Sequence, residues 1–341
     1  MRRGMRVLLV GTAGMAVAAQ PSAVATAVGG LHGPLFGLDA APNGDVLVAD
    51  VSTGVTVLRD DEVLSSIALP GATAIAAIGS SSMWVTTTGT DPESDSGQAL
   101  WRVSNGQARM VANLFDFEET DPDGDGVDSN PYDVASLGGN AALVVDAGGN
   151  SLWRIDNQGH GELVATFPVE LLSTANFNDL ACGSPGCANL PPVIPGQSVP
   201  TSVVVGPDGA YYVGELKGFP APTNQSSIWR IEPGATGVEC GVDAGCAKVF
   251  ENQFTSIVDL DLGPDGTLYV SELDEASWAA VEIFMAPTGG TANACDLASE
   301  TCTEVAAGVP AHTALTVDKK GTIYATVDGL ADGAGQVVVL N

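Results

Sequence analysis

Positive charge is scarce in this chain. Lys and Arg number 12 against 41 Asp and Glu, and Arg2, Arg3 and Arg6 fall in the opening stretch. The formal net charge of −29 makes a surface that repels phosphate backbones and anionic lipid headgroups. Nucleic acid is excluded as a partner, leaving cations, neutral small molecules and basic proteins. Histidines number 3, and no G-x-S-x-G, H-E-x-x-H or Walker loop occurs, so no signature of nucleophilic, zinc-hydrolase or nucleotide chemistry is present. No nucleotide or redox cofactor is expected. Cysteine is absent before Cys182, which removes a lipobox thiol, and the missing C-x2-C spacing argues against a thiolate metal site. No apolar run reaches the roughly 18 residues of a membrane span, so membrane insertion is not expected.

Apolar residues make up 45% of the chain, enough for a core and too many for a disordered protein. Residues 1–19 combine a basic start, an apolar stretch from Val7 to Ala19 and an A-x-A arrangement at Ala16 and Ala18. This reads as a secretory signal cleaved near Ala18 or Ala19, which makes the mature protein secreted or periplasmic. The six cysteines agree, falling into the local pairs Cys182 with Cys187, Cys240 with Cys246 and Cys295 with Cys302. Such spacings across Gly, Pro, Asp or Ser suit loop-tip disulfides in an oxidising compartment, although the connectivity is not fixed by spacing alone.

One pattern recurs six times: an aliphatic run, a tight turn, a second apolar run and an acidic or hydroxyl residue. The copies are GLDAAPNGDVLVAD, AIAAIGSSSMWVTT, DVASLGGNAALVVD, SVVVGPDGAYYVGE, DLDLGPDGTLYVSE and ALTVDKKGTIYATV, with turn positions at 44, 81, 140, 209, 266 and 321. Each copy predicts a hairpin, and Asn-Gly or Asp-Gly marks the turn in three of them. Six positions before the turn stand Leu38, Ile75, Val134, Val203, Leu260 and Leu315, aliphatic in every copy as a buried face requires. A third strand carries LWRV, LWRI or IWRI in three copies, and a short apolar run supplies a fourth. Four antiparallel strands repeated six times predict an all-β fold, a six-bladed β-propeller spanning residues 20–341 as a single domain. The blades are expected at about 34–69, 73–114, 131–167, 200–254, 257–309 and 312–341. The last lacks a fourth strand, and AVATAV at 23–28 is expected to complete it and close the ring. Within the longest insertion, 168–200, the segment VELLSTAN suggests about two helical turns.

Three segments, DGDGVDSNPYDVA, SVPTSVVVGPDGAYYVGELKGFPAP and IWRIEPG, closely resemble the ScyD/ScyE family, extracytoplasmic propeller proteins associated with biosynthesis of the pigment scytonemin. The resemblance runs from about Val28 to the C-terminus and extends more broadly to NHL and gluconolactonase-like six-bladed propellers. It implies a fold and an exported location, and no catalytic mechanism.

Several residues are candidates for a site on the face where the second strands end. Those ends include Asp50, Asp146, Glu215 and Glu272; such acids either cap turns or form a funnel for a cation or polar ligand. Seven residues before the turn, Asp133 and Asp259 point toward the channel, where two carboxylates repel unless a proton, water or cation lies between them. The segment DPDGDGVDSNPYD alternates Asp121, Asp123 and Asp125 before Gly126, so these carboxylates and the Val127 carbonyl suit calcium, with Asp128 or Asp133 completing the shell. Its twelfth position is Tyr132 in place of the EF-hand glutamate. Lys217, Phe219 and Trp278 lie in neighbouring loops suited to stacking on a planar or sugar-like ligand, whereas Trp101, Trp153 and Trp229 share one strand position and read as structural. His32 and His312 precede the first strands of adjoining blades, and His160 sits in a turn. The expected function is a monomeric binding or accessory protein with a calcium-supported upper face for a small molecule or protein partner. The alternative is a metal-dependent lactonase or hydrolase using Asp133 and Asp259.

Overall fold

A computed structural model of the chain describes residues 24–28, 31–60, 62–182 and 188–340. The six hairpins become six antiparallel sheets, whose innermost strands are Leu35–Ala40, Ala72–Gly79, Pro131–Ser136, Pro200–Val205, Ile257–Leu262 and Leu315–Val317. Each innermost strand touches those of the blades before and after it, so the six form a closed ring around a channel. The protein is therefore a six-bladed β-propeller. Blade six is completed from the other end of the chain: Val24–Val28 pairs antiparallel with Gln336–Leu340, matching Val28 to Val337. The edge strand of the last blade is thus covered, which removes a row of open backbone groups.

The six aliphatic positions before the turns are all buried, and six apolar clusters occupy the six junctions between neighbouring blades. Burying a Val, Leu or Ile side chain stabilises by about 1.5–3 kcal/mol, so these junctions hold the ring together. Four turns place glycine at positive φ, namely Gly44, Gly209, Gly266 and Gly321. A side chain there would strain the backbone. Blade three departs from the ungapped alignment: its positive-φ glycine is Gly138, two positions before the aligned Asn140.

The insertions depart further. VELLSTAN is not one helix: Glu170–Ser173 pairs with Val193–Gly196 as a small hairpin, and the helix begins later, at Ala175–Cys182. Leu171 is 70% exposed and Leu172 is 3% exposed. That alternation is the period of a strand, and it overrides the helical propensity of the leucines. A second surprise is Val238–Glu239, which reaches from blade four to pair in parallel with Gly161–Thr166 of blade three. Disulfides join Cys240 to Cys246 and Cys295 to Cys302, and they point to an oxidising, extracytoplasmic compartment. The pairing of Cys182 with Cys187 and the signal sequence at 1–19 lie outside the described residues. No helix among the described residues is long and apolar enough to cross a membrane.

Candidate functional site on the upper face

The upper face is where first strands begin and second strands end. Antiparallel pairing puts the acids that end four of the second strands beside the loops that enter the same blades. Asp50 accepts the His32 N–H at 2.8 Å, and Asp146 accepts the Asn130 N–H and the Ser129 hydroxyl, both at 2.6 Å. Glu272 accepts the Thr255 N–H at 2.5 Å, and Glu215 accepts the Ser198 hydroxyl at 2.5 Å and the Trp229 indole N–H at 2.8 Å. All four carboxylates are buried, at 6% exposure or less. They fasten loops to blades and present no open rim.

Lys217 is 1% exposed, with its ammonium 2.8 Å from Glu215 and paired also with Glu170. Glu170 in turn holds Lys248 at 2.6 Å, and Lys248 lies over the Trp229 ring at 5.0 Å. Two of the chain's few cations are thus bound up in one internal network tying the small hairpin to blade four.

In the channel, carboxylates stitch one blade to the next. Asp133 takes the N–H of Val134 in its own blade and of Val203 in blade four, both at 2.7 Å. Asp259 does the same with Leu260 and, in blade six, Leu315, both at 2.9 Å. Two further acids share the role. Asp39 accepts the Ala77 N–H of blade two, and Asp261 accepts the Val317 N–H of blade six at 2.7 Å. The opposite junctions use threonine: Thr73 and Thr201 donate their hydroxyls to Pro131 O at 2.8 Å and Ile257 O at 2.7 Å, and Thr313 donates to Leu35 O. Acids on blades one, three and five therefore alternate with threonines on blades two, four and six. Burial raises the pKa of all four channel acids, to about 7 for Asp39 and Asp133, and repulsion from neighbouring channel acids adds to it for Asp39, Asp133 and Asp259.

An apolar roof lies over the upper end of this channel. Phe36, Tyr132 and Val258, at the start of the first strands of blades one, three and five, pack with Leu216, Leu273 and Trp278. Trp278 lies on a short helix, Trp278–Glu282, where a loop was expected, and its indole N–H donates to Lys217 O at 2.9 Å. Above them Phe177 meets Phe219 edge-on at 4.8 Å and Phe284 at 5.2 Å. These three rings are half-buried, and Ile283 and Met285 beside Phe284 are exposed. Of the sequence-derived residues, Phe219 and Trp278 belong to this roof and Lys217 lies directly beneath it.

The loop 121–133 divides. Asp121 accepts the Gly126 N–H at 3.1 Å, Asp123 accepts the Asp125 N–H at 3.0 Å, and Asp125 accepts the Gln197 side-chain amide at 2.8 Å. Val127 is exposed, and Asp128 lies against Gly148. Asp133 is not part of this group, because its carboxylate turns into the channel. Sequence reading missed Glu118, which ends the helix Phe115–Glu118 beneath the loop and is fully buried. Burial, then repulsion from Asp146, pushes its pKa up to about 9. Burial and Asp146 likewise push Asp128 up to about 7. Among the described residues no group of three or more His, Cys, Asp or Glu side chains stands at ion-holding distances.

The histidines are dispersed. His160 pairs with Asp156 at 2.9 Å on the surface, and His32 contributes its backbone to Asp50. His312 is fully buried, and burial lowers its pKa to about 4 against the opposing pull of the Thr291 and Ala314 backbone.

No family model matches the chain, and no curated protein matches it. Solved structures match along nearly the full length. A gluconolactonase from Xanthomonas campestris is 12% identical, with a TM-score of 0.58 over 97% of this chain and 99% of that one. The soluble aldose sugar dehydrogenase of Escherichia coli is 11% identical, with a TM-score of 0.56 over 93% and 98%. A virginiamycin B lyase from Staphylococcus aureus is 12% identical, with a TM-score of 0.50 over 93% and 98%. At these identities the likeness is one of fold, and it places the chain structurally among propeller proteins.

Proposed function

We propose that the protein is a secreted or periplasmic binding or accessory protein that takes a small molecule or a partner protein on the aromatic roof of its channel. The observation that carries this reading is the edge-to-face array of Phe177, Phe219 and Phe284, half-buried over the channel and flanked by the exposed Ile283 and Met285. Aromatic edges with apolar neighbours suit a planar ligand, and the acidic surroundings favour a neutral or cationic one. Calcium held by the loop of Asp121, Asp123, Asp125, Val127 and Asp128 supports the face by pinning it to blade four through the contact from Asp125 to Gln197. The resemblance to the ScyD/ScyE family agrees with an accessory role in making a secondary metabolite.

The test is titration with a neutral planar dye such as Nile red, followed by its fluorescence. Phe177→Ala and Phe284→Ala are each expected to weaken dye binding by about two- to tenfold, the worth of one aromatic contact. Unchanged binding in both variants would sink the reading. A second reading, a metal-dependent lactonase or hydrolase, draws support from the channel acids, where repulsion from Asp261 adds to burial in raising the pKa of Asp133, and repulsion from Asp133 and Asp261 does the same for Asp259. It predicts lactone or ester turnover that Asp259→Ala abolishes.

A further inference from the structure

Beneath the loop lies a group of carboxylates with no cationic partner. Glu118 is 0% exposed, and its Oε1 accepts the Ser151 hydroxyl at 2.9 Å and the Trp153 indole N–H at 3.3 Å. Its other oxygen, Oε2, is buried and has no partner. That oxygen abuts the bare Cα of Gly149, where an added Cβ would stand 2.1 Å from it; the corresponding Cβ on Gly148 would stand 3.2 Å from Asp128 Oδ1. The two carboxyl groups therefore flank consecutive glycines. Asp146 accepts the N–H of both glycines, at 3.1 and 3.2 Å, and Asp123 reaches the side-chain amide of Asn150, the next residue, at 3.0 Å. Glu118, Asp123 and Asp128 thus surround one turn, 146–150, that Asp146 opens, and none of the four forms a salt bridge with a described Lys, Arg or His.

An unpartnered carboxylate oxygen in the interior is costly unless a proton or a cation meets it. We propose that a hard divalent cation, calcium by its oxygen-only donors, is held in this cradle, with Glu118 as the inner ligand and Asp123 and Asp128 closing on it from the loop. The proposal deepens the calcium reading above and rests on it, but moves the ion from the turn of Asp121 and Asp125 to the floor formed by Gly148 and Gly149. Calcium accepts six to eight oxygens in irregular geometry, so backbone carbonyls and water complete such a shell. Since no three acidic side chains stand at ion-holding distances in this structure, binding draws Asp123 and Asp128 inward. The cradle communicates with blade four, because Asn150 Oδ1 accepts the Val199 N–H at 2.9 Å and Val199 packs in the aromatic roof.

The experiment uses the mature full-length protein and terbium as a luminescent stand-in for calcium. An ion on Glu118 lies within a few ångströms of the Trp153 indole, so terbium emission excited through tryptophan is expected, and excess calcium is expected to displace it. Glu118→Gln keeps the acceptor for Ser151 and Trp153 and is expected to reduce affinity about tenfold or more. Asp128→Asn, at a half-exposed position, is expected to do the same, while Asp121→Asn has a smaller effect. Melting in a chelator confirms that each variant is folded. Full affinity in Glu118→Gln and Asp128→Asn, with loss in Asp121→Asn, would overturn the cradle and leave the turn as the site. No binding to the wild type, or stabilisation matched by potassium chloride at equal ionic strength, would overturn both.

Discussion

The channel and the upper loop of blade three hold two sets of carboxylates in contrasting circumstances. In the channel Asp133, Asp259 and Asp261 each hold two backbone N–H groups, one from their own blade and one from the next. Beneath the loop Glu118 keeps a buried oxygen without a partner, and in it Asp128 meets repulsion from Asp146, Asp123, Glu93 and Asp125. The same residue type therefore does different work according to the donors around it. Where first strands of neighbouring blades run side by side, N–H groups are at hand and an acid becomes a staple. Where a long loop folds back over a glycine pair, fewer donors are at hand and the acids accumulate charge that a cation can neutralise.

Removing a staple should give the largest effect. Asp259→Ala leaves the N–H groups of Leu260 and Leu315 without their acceptor, at about 1–3 kcal/mol for each donor left buried and unpaired. Chemical denaturation should show a correspondingly lower midpoint, and a value equal to wild type would show that the staple is dispensable. A middle-sized effect concerns pH. Asp39 has its pKa raised from 3.8 to about 7 by burial and then by Asp261. The folded protein thus binds this proton more tightly than the unfolded chain does, so the favourable contribution is full below the unfolded value and fades as pH rises through about 7. Asp39→Asn retains an acceptor for Ala77 without the charge, and should flatten the fall of melting temperature between pH 4 and 7. The smallest effect lies in the loop: with a chelator present, Asp128→Asn should stabilise by about 0.5 kcal/mol, because it relieves repulsion at a partly exposed site. Destabilisation there would mean that Asp128 is a staple as well, and the contrast between the two regions would fail.

The ring was legible because its period recurs: the buried position six before each turn stands in all six copies, the Trp-Arg strand in three, and the apolar run at 23–28 was expected to supply the strand that the last blade lacks. The strand-end acids meet donors such as Ser198 and Thr255 in the loops that enter the same blades, so the second-strand pattern alone did not decide between capping a loop and receiving a ligand. Asp39 and Asp261 were readable in principle, standing five residues before the turns at 44 and 266, and so were Thr73, Thr201 and Thr313, eight before theirs. Comparing alternate blades column by column would have revealed them. Glu118 carried no local signal. Its partners Ser151 and Trp153 lie 33 and 35 residues away, and only the folding of the loop over blade three brings them together. Phe219 and Trp278 stood out in the sequence as loop aromatics, although Trp278 opens a short helix, whereas Phe177 comes from the helix of the insertion and Phe284 from the segment after Trp278–Glu282.

The contrast between staples and cradle is tested most directly by melting the wild type, Asp259→Asn and Glu118→Gln in parallel across a calcium titration. The account predicts that calcium raises the melting temperature of the wild type and of Asp259→Asn, with about 2.7 kcal/mol of stabilisation at a hundredfold excess over Kd, and that Glu118→Gln loses most of this rise. A rise kept by Glu118→Gln and lost by Asp259→Asn would place the ion in the channel and contradict it.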